Sequence, residues 1–240
     1  MKEKEQLIID GKRLDGRDLM EMRKIEIEIN PLKNAMGSAT FKFGKTWAVA
    51  ATHGPRAAYP KWIQNPESAI LKVRYSMLPF STWERSKPGT SRRSIEISKV
   101  VNDALSNVIF FDDYPKTMIE VFVDIIEADA STRCAALNAA SIALALAGVP
   151  MADLVSSCSV GKINGQIALD IAGFEDNYGE VDCAVAMIPH EEKVLLLQMD
   201  GIVSKEEFIQ MLSIAKEGCA KVYAAQKDAI KQAYRTVEAD

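Results

Sequence analysis

Three short stretches of this 240-residue chain carry side chains whose types and spacing could act together on a phosphorylated substrate. The first is Glu127-Ala-Asp-Ala-Ser-Thr-Arg133, placed just ahead of an alanine-rich run. Small residues at Ala130 and Ser131 let the backbone come close to a ligand. The first free N–H groups of a following helix then point outward with the positive end of its dipole. Ser131 and Thr132 add hydroxyls and Arg133 a fixed charge, which together make a phosphate-sized anion site. The same letters also describe an ordinary helix start, capped by Asp129 or Ser131 with Arg133 in solvent.

The second stretch is Glu175-Asp-Asn-Tyr-Gly-Glu-Val-Asp182. Asp176 and Asp182 flank what reads as a turn and could converge on Mg²⁺ or Mn²⁺ through hard oxygen ligands, with Glu180 a third candidate. A cation there would stabilise charge on a phosphoryl oxygen or a leaving 3′-oxygen. An acidic loop kept soluble by its charges fits equally well. The third stretch, Glu84 to Ile97, is basic and contains Arg92-Arg93 at the start of a helical pattern. Arginine forks bind phosphate bidentately and can grip a nucleic-acid backbone without reading bases. Arg56, Lys61, Lys72 and Arg74 extend the basic set, and Tyr59 and Trp62 are available for stacking. Solvated charge is the competing reading, least comfortable for Arg92-Arg93, whose charge opposes the helix dipole. Together the three stretches supply an anion pocket, a metal pair and a backbone clamp.

The elements that must position these groups follow from periodicity. Lys24 to Asn30 alternates as a half-buried strand. Ser38 to Phe43 and Trp47 to Thr52 read as a hairpin, Gly54 to Ser68 as a loop, and Leu71 to Met77 as a further strand. A helix capped by Thr90 or Ser91 carries Ile95, Val101, Leu105, Val108 and Ile109 at helical spacing. Met118 to Ile126 is β-branched, and Ser131 to Ala147 reads as a close-packed helix with Gly148 at C′. Val155 to Ile163 and Gln166 to Asp170 flank Asn164-Gly165, a strong hairpin signal. Cys183 to Ile188 and Val194 to Met199 are strands, and a long helix over residues 205–234 opens with the capping box Ser204-Lys-Glu-Glu207. This order predicts an α+β fold, a two-layer sandwich of mostly antiparallel sheet with helices packed on it. The whole is expected as a single domain over residues 1–240, with its core over about 10–234.

Hydrophobic residues at 48% and charged residues at 26% describe a globular chain with a sizeable core, not a disordered one. The net charge of −4 argues against RNA globally, but local potential governs binding. Met1 to Gln6 reads as lacking a leader, and Ala135 to Met151 as a buried helix rather than a membrane span. Cys134, Cys158, Cys183 and Cys219 form no CxxC and read as buried apolar residues of a cytosolic protein. Only His53 and His190 are present, so histidine-based metal or triad chemistry has little material.

At these same residues the chain resembles a known family. Leu14-Asp-Gly-Arg17, Gly54-Pro-Arg56, Pro79-Phe80-Ser81, Glu84-Arg85, Pro88-Gly89, Arg92-Arg93-Ser-Ile-Glu-Ile-Ser-Lys99, Ala128-Asp129, Thr132-Arg133, Ala147-Gly-Val-Pro150, Glu175-Asp176 and Leu197-Gln-Met-Asp-Gly201 occur in order. They are similar to the RNase PH family, most of all to its archaeal exosome branch of catalytic subunits. The resemblance implies an RNase PH-type fold and phosphorolysis of RNA from the 3′ end, releasing nucleoside 5′-diphosphates, with tailing as the reverse reaction. It also implies a hexameric ring with a paralogous inactive subunit, RNA-binding cap subunits, and single-stranded RNA threading the pore. By position, Ser131, Thr132 and Arg133 would hold the attacking phosphate, and Arg92 and Arg93 the RNA near the scissile bond. Asp182 would be the essential acid or a metal ligand, Asp176 its metal partner, and Lys61 would lie in a loop facing the pore. The family usually has glycine where this chain has Ser131, whose hydroxyl is expected to donate to the ligand; Asn177 and Ala184 leave the metal shell thin. A non-catalytic ring subunit and a stand-alone tRNA-trimming enzyme are the alternative readings.

Overall fold

The computed structural model describes residues 6–9 and 11–237. The stretch Met1 to Gln6, read above as lacking a leader, lies outside the described residues except for Gln6, as does Asp10. A small hairpin, β1 (Ile8–Ile9) and β2 (Lys12–Arg13), precedes a five-stranded sheet. That sheet contains β3 (Ile25–Ile29), β4 (Gly37–Phe43), β5 (Thr46–Ala57), β6 (Ile70–Met77) and β7 (Thr117–Glu127), ordered β3-β4-β5-β7-β6. Among the described residues only β6 and β7 pair in parallel, and the crossover that parallel pairing demands is supplied by α1 (Arg92–Ser106). After α2 (Thr132–Leu146) comes a four-stranded antiparallel sheet of β8 (Ser156–Ile163), β9 (Gln166–Leu169), β10 (Val181–Ile188) and β11 (Lys193–Gly201), ordered β11-β10-β8-β9. A short helix, α3 (Gly173–Tyr178), joins β9 to β10, and α4 (Lys205–Val237) closes the chain.

The expected α+β class holds, and the helix-on-sheet packing occurs twice. One face of the first sheet, including Phe41, Phe43, Val73, Val121, Val123 and Ile125, packs under α1 and α2. The other layer unites Cys158, Val160, Val185 and Met187 with Met211, Ala215 and Cys219 of α4. α2 is buried along nearly its whole length because it touches both sheets: β4, β5 and β7 on one side, β8 on the other. This explains its alanine content, since small side chains let two sheets approach one helix. Successive strand residues face opposite ways. While Cys183, Val185 and Met187 of β10 face α4, Ala184 and Ala186 join the core beneath α1 and α2. Asp182 is in phase with these alanines and therefore projects toward the α2 side.

The turn chemistry is as expected. Asn164 and Gly165 take φ of 46° and 78°, the pair of positive angles a tight hairpin needs. Gly148 has φ 73° just after the C-cap Ala147, Ser91 caps α1, and Ser204 and Glu207 form their reciprocal box. Several expectations fail. β5 continues to Ala57, so Arg56 lies on a strand rather than in a loop. Residues 173–178 form a helix where a turn was expected. In α1, Ile95 is 62% exposed; the buried face is Ser94, Ile97, Val101, Ala104 and Leu105, and Val108 and Ile109 bury themselves beyond its end. All four cysteines are buried and free, and among the described residues no helix is long and apolar enough to cross a membrane.

Candidate functional site

One cavity of about 450 Å³ is lined by Arg93, Ser131, Thr132, Arg133, Ser159, Asp176, Asp182, Ala184, Gln198, Met199 and Asp200. Its basic wall is the β7–α2 junction. There Ala130 and Ser131 take φ of 59° and 54°, left-handed backbone that non-glycine residues adopt only when surroundings impose it. Thr46 supplies part of that constraint: its hydroxyl donates to the Ala130 carbonyl at 2.7 Å and accepts from the Asp129 N–H at 3.0 Å. Arg23 supplies the rest. Its guanidinium donates to the Asp129 carbonyl, to Ser131 Oγ at 3.1 Å and to the Ile171 carbonyl at 3.2 Å, while pairing with buried Asp170 at 2.7 Å.

The loop departs from the capped-start reading, and from the anion-site reading only at the Ser131 hydroxyl. No side chain caps α2, so Asp129 and Ser131 are not caps, and the N–H groups of the first turn stay available to a ligand. The Asp129 carboxylate instead accepts from the Gly173 N–H at 3.1 Å. The Ser131 hydroxyl, expected to donate to a ligand, is turned into the protein against Arg23, Ser159 Oγ at 2.7 Å and the Ile171 carbonyl at 3.1 Å. Ser131 therefore lines the cavity while its side chain braces the loop. Arg93 reaches the same wall from α1, its Nη2 donating to Thr132 Oγ1 at 3.4 Å.

The acidic wall comes from the second sheet. Asp182 sits in β10 directly opposite Asp200 of β11. Burial, then the neighbouring Asp176 carboxylate, pushes the Asp182 carboxyl up to about 6; Arg133 pulls it down and Asp200 adds a smaller upward push. Asp176 is set by α3, whose preceding residue Glu175 is clamped by Arg13. The Arg13 guanidinium makes a forked pair with Glu175, and donates to the Leu169 and Asp170 carbonyls at 2.7 Å each. Glu175 also accepts from the Ala172 N–H at 2.8 Å, closing the first turn. Glu180 does not join this wall: it faces Lys162 at 3.8 Å, and Asp200 takes the place expected for it. Among the described residues no group of three or more His, Cys, Asp or Glu side chains converges closely enough to hold a metal ion. Asp176 and Asp182 thus offer two hard ligands, and other oxygens would complete a shell.

The cavity gathers Arg93, Ser131, Thr132, Arg133, Asp176 and Asp182 from the sequence candidates, and leaves out Arg92, Arg56 and Lys61. Arg92 is exposed at the first position of α1. Arg56 pairs with Glu120 near the far end of β5, whose first residue, Thr46, touches the β7–α2 junction. Strand rise puts Arg56 roughly 30 Å from that junction. Lys61 follows in a short 3-10 turn beside exposed Tyr59 and Trp62. Sequence reasoning missed Ser159, Gln198, Met199, Asp200, Arg13 and Arg23. Asp200 was visible within Leu197-Gln-Met-Asp-Gly201, but only cross-strand register pairs it with Asp182.

Residues 21–150 match the 3′ exoribonuclease family, domain 1, and residues 153–218 match its domain 2. The chain is 50% identical over 225 residues to the exosome complex component Rrp41 of Thermococcus gammatolerans, covering 94% of this chain and 90% of that protein. It is 51% identical to the Rrp41 component of Pyrococcus furiosus over the same shares, and 49% identical to that of Methanopyrus kandleri, covering 94% of each. The crystal structure of rice Rrp46 shares the fold, with a TM-score of 0.80 over 90% of this chain and 98% of that one at 22% identity.

Proposed function

The chain belongs to the 3′ exoribonuclease family of RNase PH-type proteins, and from that premise we propose that it is the active subunit of an archaeal-type exosome ring, degrading RNA by phosphorolysis. The observation that carries this reading is the meeting, in one cavity, of an uncapped helix N-terminus with Thr132, Arg133 and Arg93 on one side and Asp182 on the other. Inorganic phosphate is the co-substrate that suits the basic wall: backbone N–H groups of α2, the Thr132 hydroxyl and the Arg133 guanidinium all donate to oxygen. Held there, a phosphate oxygen attacks the phosphorus of the 3′-terminal phosphodiester. The new P–O bond forms as the bond to the preceding nucleotide's 3′-oxygen breaks, and the last nucleotide leaves as a 5′-diphosphate. The nucleophile is phosphate and not water, so this is nucleotidyl transfer rather than hydrolysis, and it runs in reverse to add tails.

The departing 3′-oxygen needs a proton or equivalent charge neutralisation. Asp182, held near 6, can keep a proton close to neutral pH and deliver it. Asp176 and Asp182 would hold Mg²⁺ or Mn²⁺, which when bound would supply charge neutralisation at the leaving oxygen, with Asp182 then ionised. Arg93, with Arg92 beside it, grips RNA phosphates next to the scissile bond, and Arg56 and Lys61 with Tyr59 and Trp62 guide the strand farther out. The relatives' place in exosome complexes supports partners of the kind expected above: a paralogous inactive subunit alternating in a hexameric ring, and RNA-binding caps. α2, within the first matched segment, packs on β8 of the second, which supports one folding unit over the chain. Four buried free cysteines suit the reducing cytoplasm.

The test is release of nucleoside diphosphates from an unstructured RNA, with and without phosphate, by the chain alone and with its partner subunit. Phosphate-dependent release that needs the partner and falls about 10³-fold in Asp182→Ala is expected. Equal degradation without phosphate would overturn the reading; RNA binding with no release under any condition would leave a structural ring subunit.

A further inference from the structure

We infer that Cys158 and Cys219 are a latent disulfide pair, a modification site at which hydrogen peroxide joins the two sulfurs and staples α4 to β8. The sulfurs lie 3.6 Å apart, although the residues are 61 positions apart in the chain. Both residues are 0% exposed, in the layer where β8 and β10 pack against α4. Alternation along β8 sends Cys158 and Val160 toward α4, while Ser159 between them lines the cavity. A bond from Cys158 to Cys219 therefore forms on the face of the sheet turned away from the cavity.

Gly218 permits the approach of helix to strand. A Cβ there would stand 2.8 Å from Cys158 Sγ and 2.7 Å from Leu169 Cδ1, closer than side chains pack. Glycine is the poorest residue after proline for a helix interior, so its place in α4 has a packing reason. Neither thiol needs the other as a hydrogen-bond partner. The Cys158 thiol has the Ala215 carbonyl at 3.4 Å, and the Cys219 thiol has the Val185 carbonyl at 3.9 Å. As packing, two small apolar residues would serve equally; what sulfur adds is the capacity for a bond. To reach disulfide length the sulfurs close by roughly 1.5 Å.

The step balances with hydrogen peroxide alone. One sulfur attacks a peroxide oxygen, the O–O bond breaks, and a sulfenic acid and one water result. The second sulfur then displaces the hydroxyl from the first, the S–S bond forms, and a second water leaves. The two thiols lose two hydrogens and two electrons, and the two peroxide oxygens take them up. The Cys219 sulfur, then burial, pushes the Cys158 thiol well above its ordinary range, so the reaction is slow and the pair stays open in reducing surroundings. Cys134 belongs to the other core and Cys183 to β10, and both are expected to remain thiols.

The test holds the full chain in hydrogen peroxide at neutral pH, blocks free thiols after denaturation and maps peptides without reduction. One cross-linked pair, through Cys158 and Cys219, is expected, with Cys134 and Cys183 blocked. The midpoint of thermal unfolding should rise by about 5–15 °C, as for a bond closing a long loop, and return on treatment with dithiothreitol. Peroxide should not raise the midpoint of Cys158→Ala or of Cys219→Ala, where any change reports methionine oxidation instead, whereas Cys183→Ala should keep the full rise. Thiols that all stay free, a link through Cys134 or Cys183, or a midpoint that does not rise on linkage would overturn the proposal.

Discussion

The basic wall of the cavity, Ser131 to Arg133, and the acidic wall, Asp182 with Asp176 and Asp200, face the same space but are held in different ways. The basic wall is over-determined. Thr46, Arg23, Ser159 and the Ile171 carbonyl together hold two left-handed residues in place and leave the α2 N–H groups uncapped. The acidic wall is under-compensated. Asp182 has Asp176 and Asp200 as neighbours, Arg133 lowers its pKa, and the balance leaves it near 6. The difference teaches where the fold keeps its unspent electrostatic energy: donors fixed in advance for an anion on one side, repelling carboxylates ready for a proton or a cation on the other.

Three experiments can break or sharpen this contrast. The largest effect belongs to Arg13, whose side chain is 0% exposed against Glu175 at 3%. Arg13→Met should cost about 3–5 kcal/mol in denaturant unfolding, because it removes the forked partner of a buried carboxylate and leaves it only the Ala172 N–H and Arg17 at 3.9 Å. A cost near zero would mean that α3, and Asp176 with it, is held by something other than the Arg13 clamp.

Asp182→Asn tests the stored repulsion itself. The folded pKa of about 6 lies above the ordinary carboxylate value of 3.8, so the folded state binds the proton more tightly than the unfolded chain. Stability from this group is complete below about pH 4 and is lost as pH rises through about 6, a penalty of roughly 3 kcal/mol at neutral pH. In phosphate-free buffer with a chelator, the asparagine variant should be the more stable protein at pH 7, by up to that amount, while losing activity. The gap should close toward pH 4. A constant gap across that range would show that the acidic wall is already compensated.

The smallest effect should come from the remote basic group. Arg56→Ala with Lys61→Ala should raise the KM for long RNA by about threefold to tenfold at low salt and lose that effect at high salt, with kcat unchanged. A drop in kcat would connect this region to the chemistry and not to strand guidance alone.

Local patterns were readable wherever a single element decides them. Asn164-Gly165, Gly148, the Ser204–Glu207 box and the start of the last helix depend on neighbours a few residues away, and these match. The errors sit where a longer contact intervenes. Thr46 and Arg23, from other strands and loops, draw the β7–α2 junction into left-handed backbone and take the Ser131 hydroxyl for themselves. The Arg13–Glu175 clamp accompanies a helix in a stretch that reads as a turn. Lys162 pairs with Glu180 and keeps it off the acidic wall.

The sequence by itself determined the chemical inventory of this protein and the phase of each strand and helix. The alanine-rich run places Thr132 and Arg133 at the opening of a helix, whereas Asp182, read as part of a turn, shares the phase of Ala184 and Ala186 because β10 begins at Val181. Only the tertiary structure decided which groups meet. Asp200 opposes Asp182 through antiparallel register, and Arg93 reaches Thr132 because α1 and α2 share one core. Register and the stacking of two sheets about one helix are set by the burial of side chains far apart in the chain, so no local window of sequence contains them.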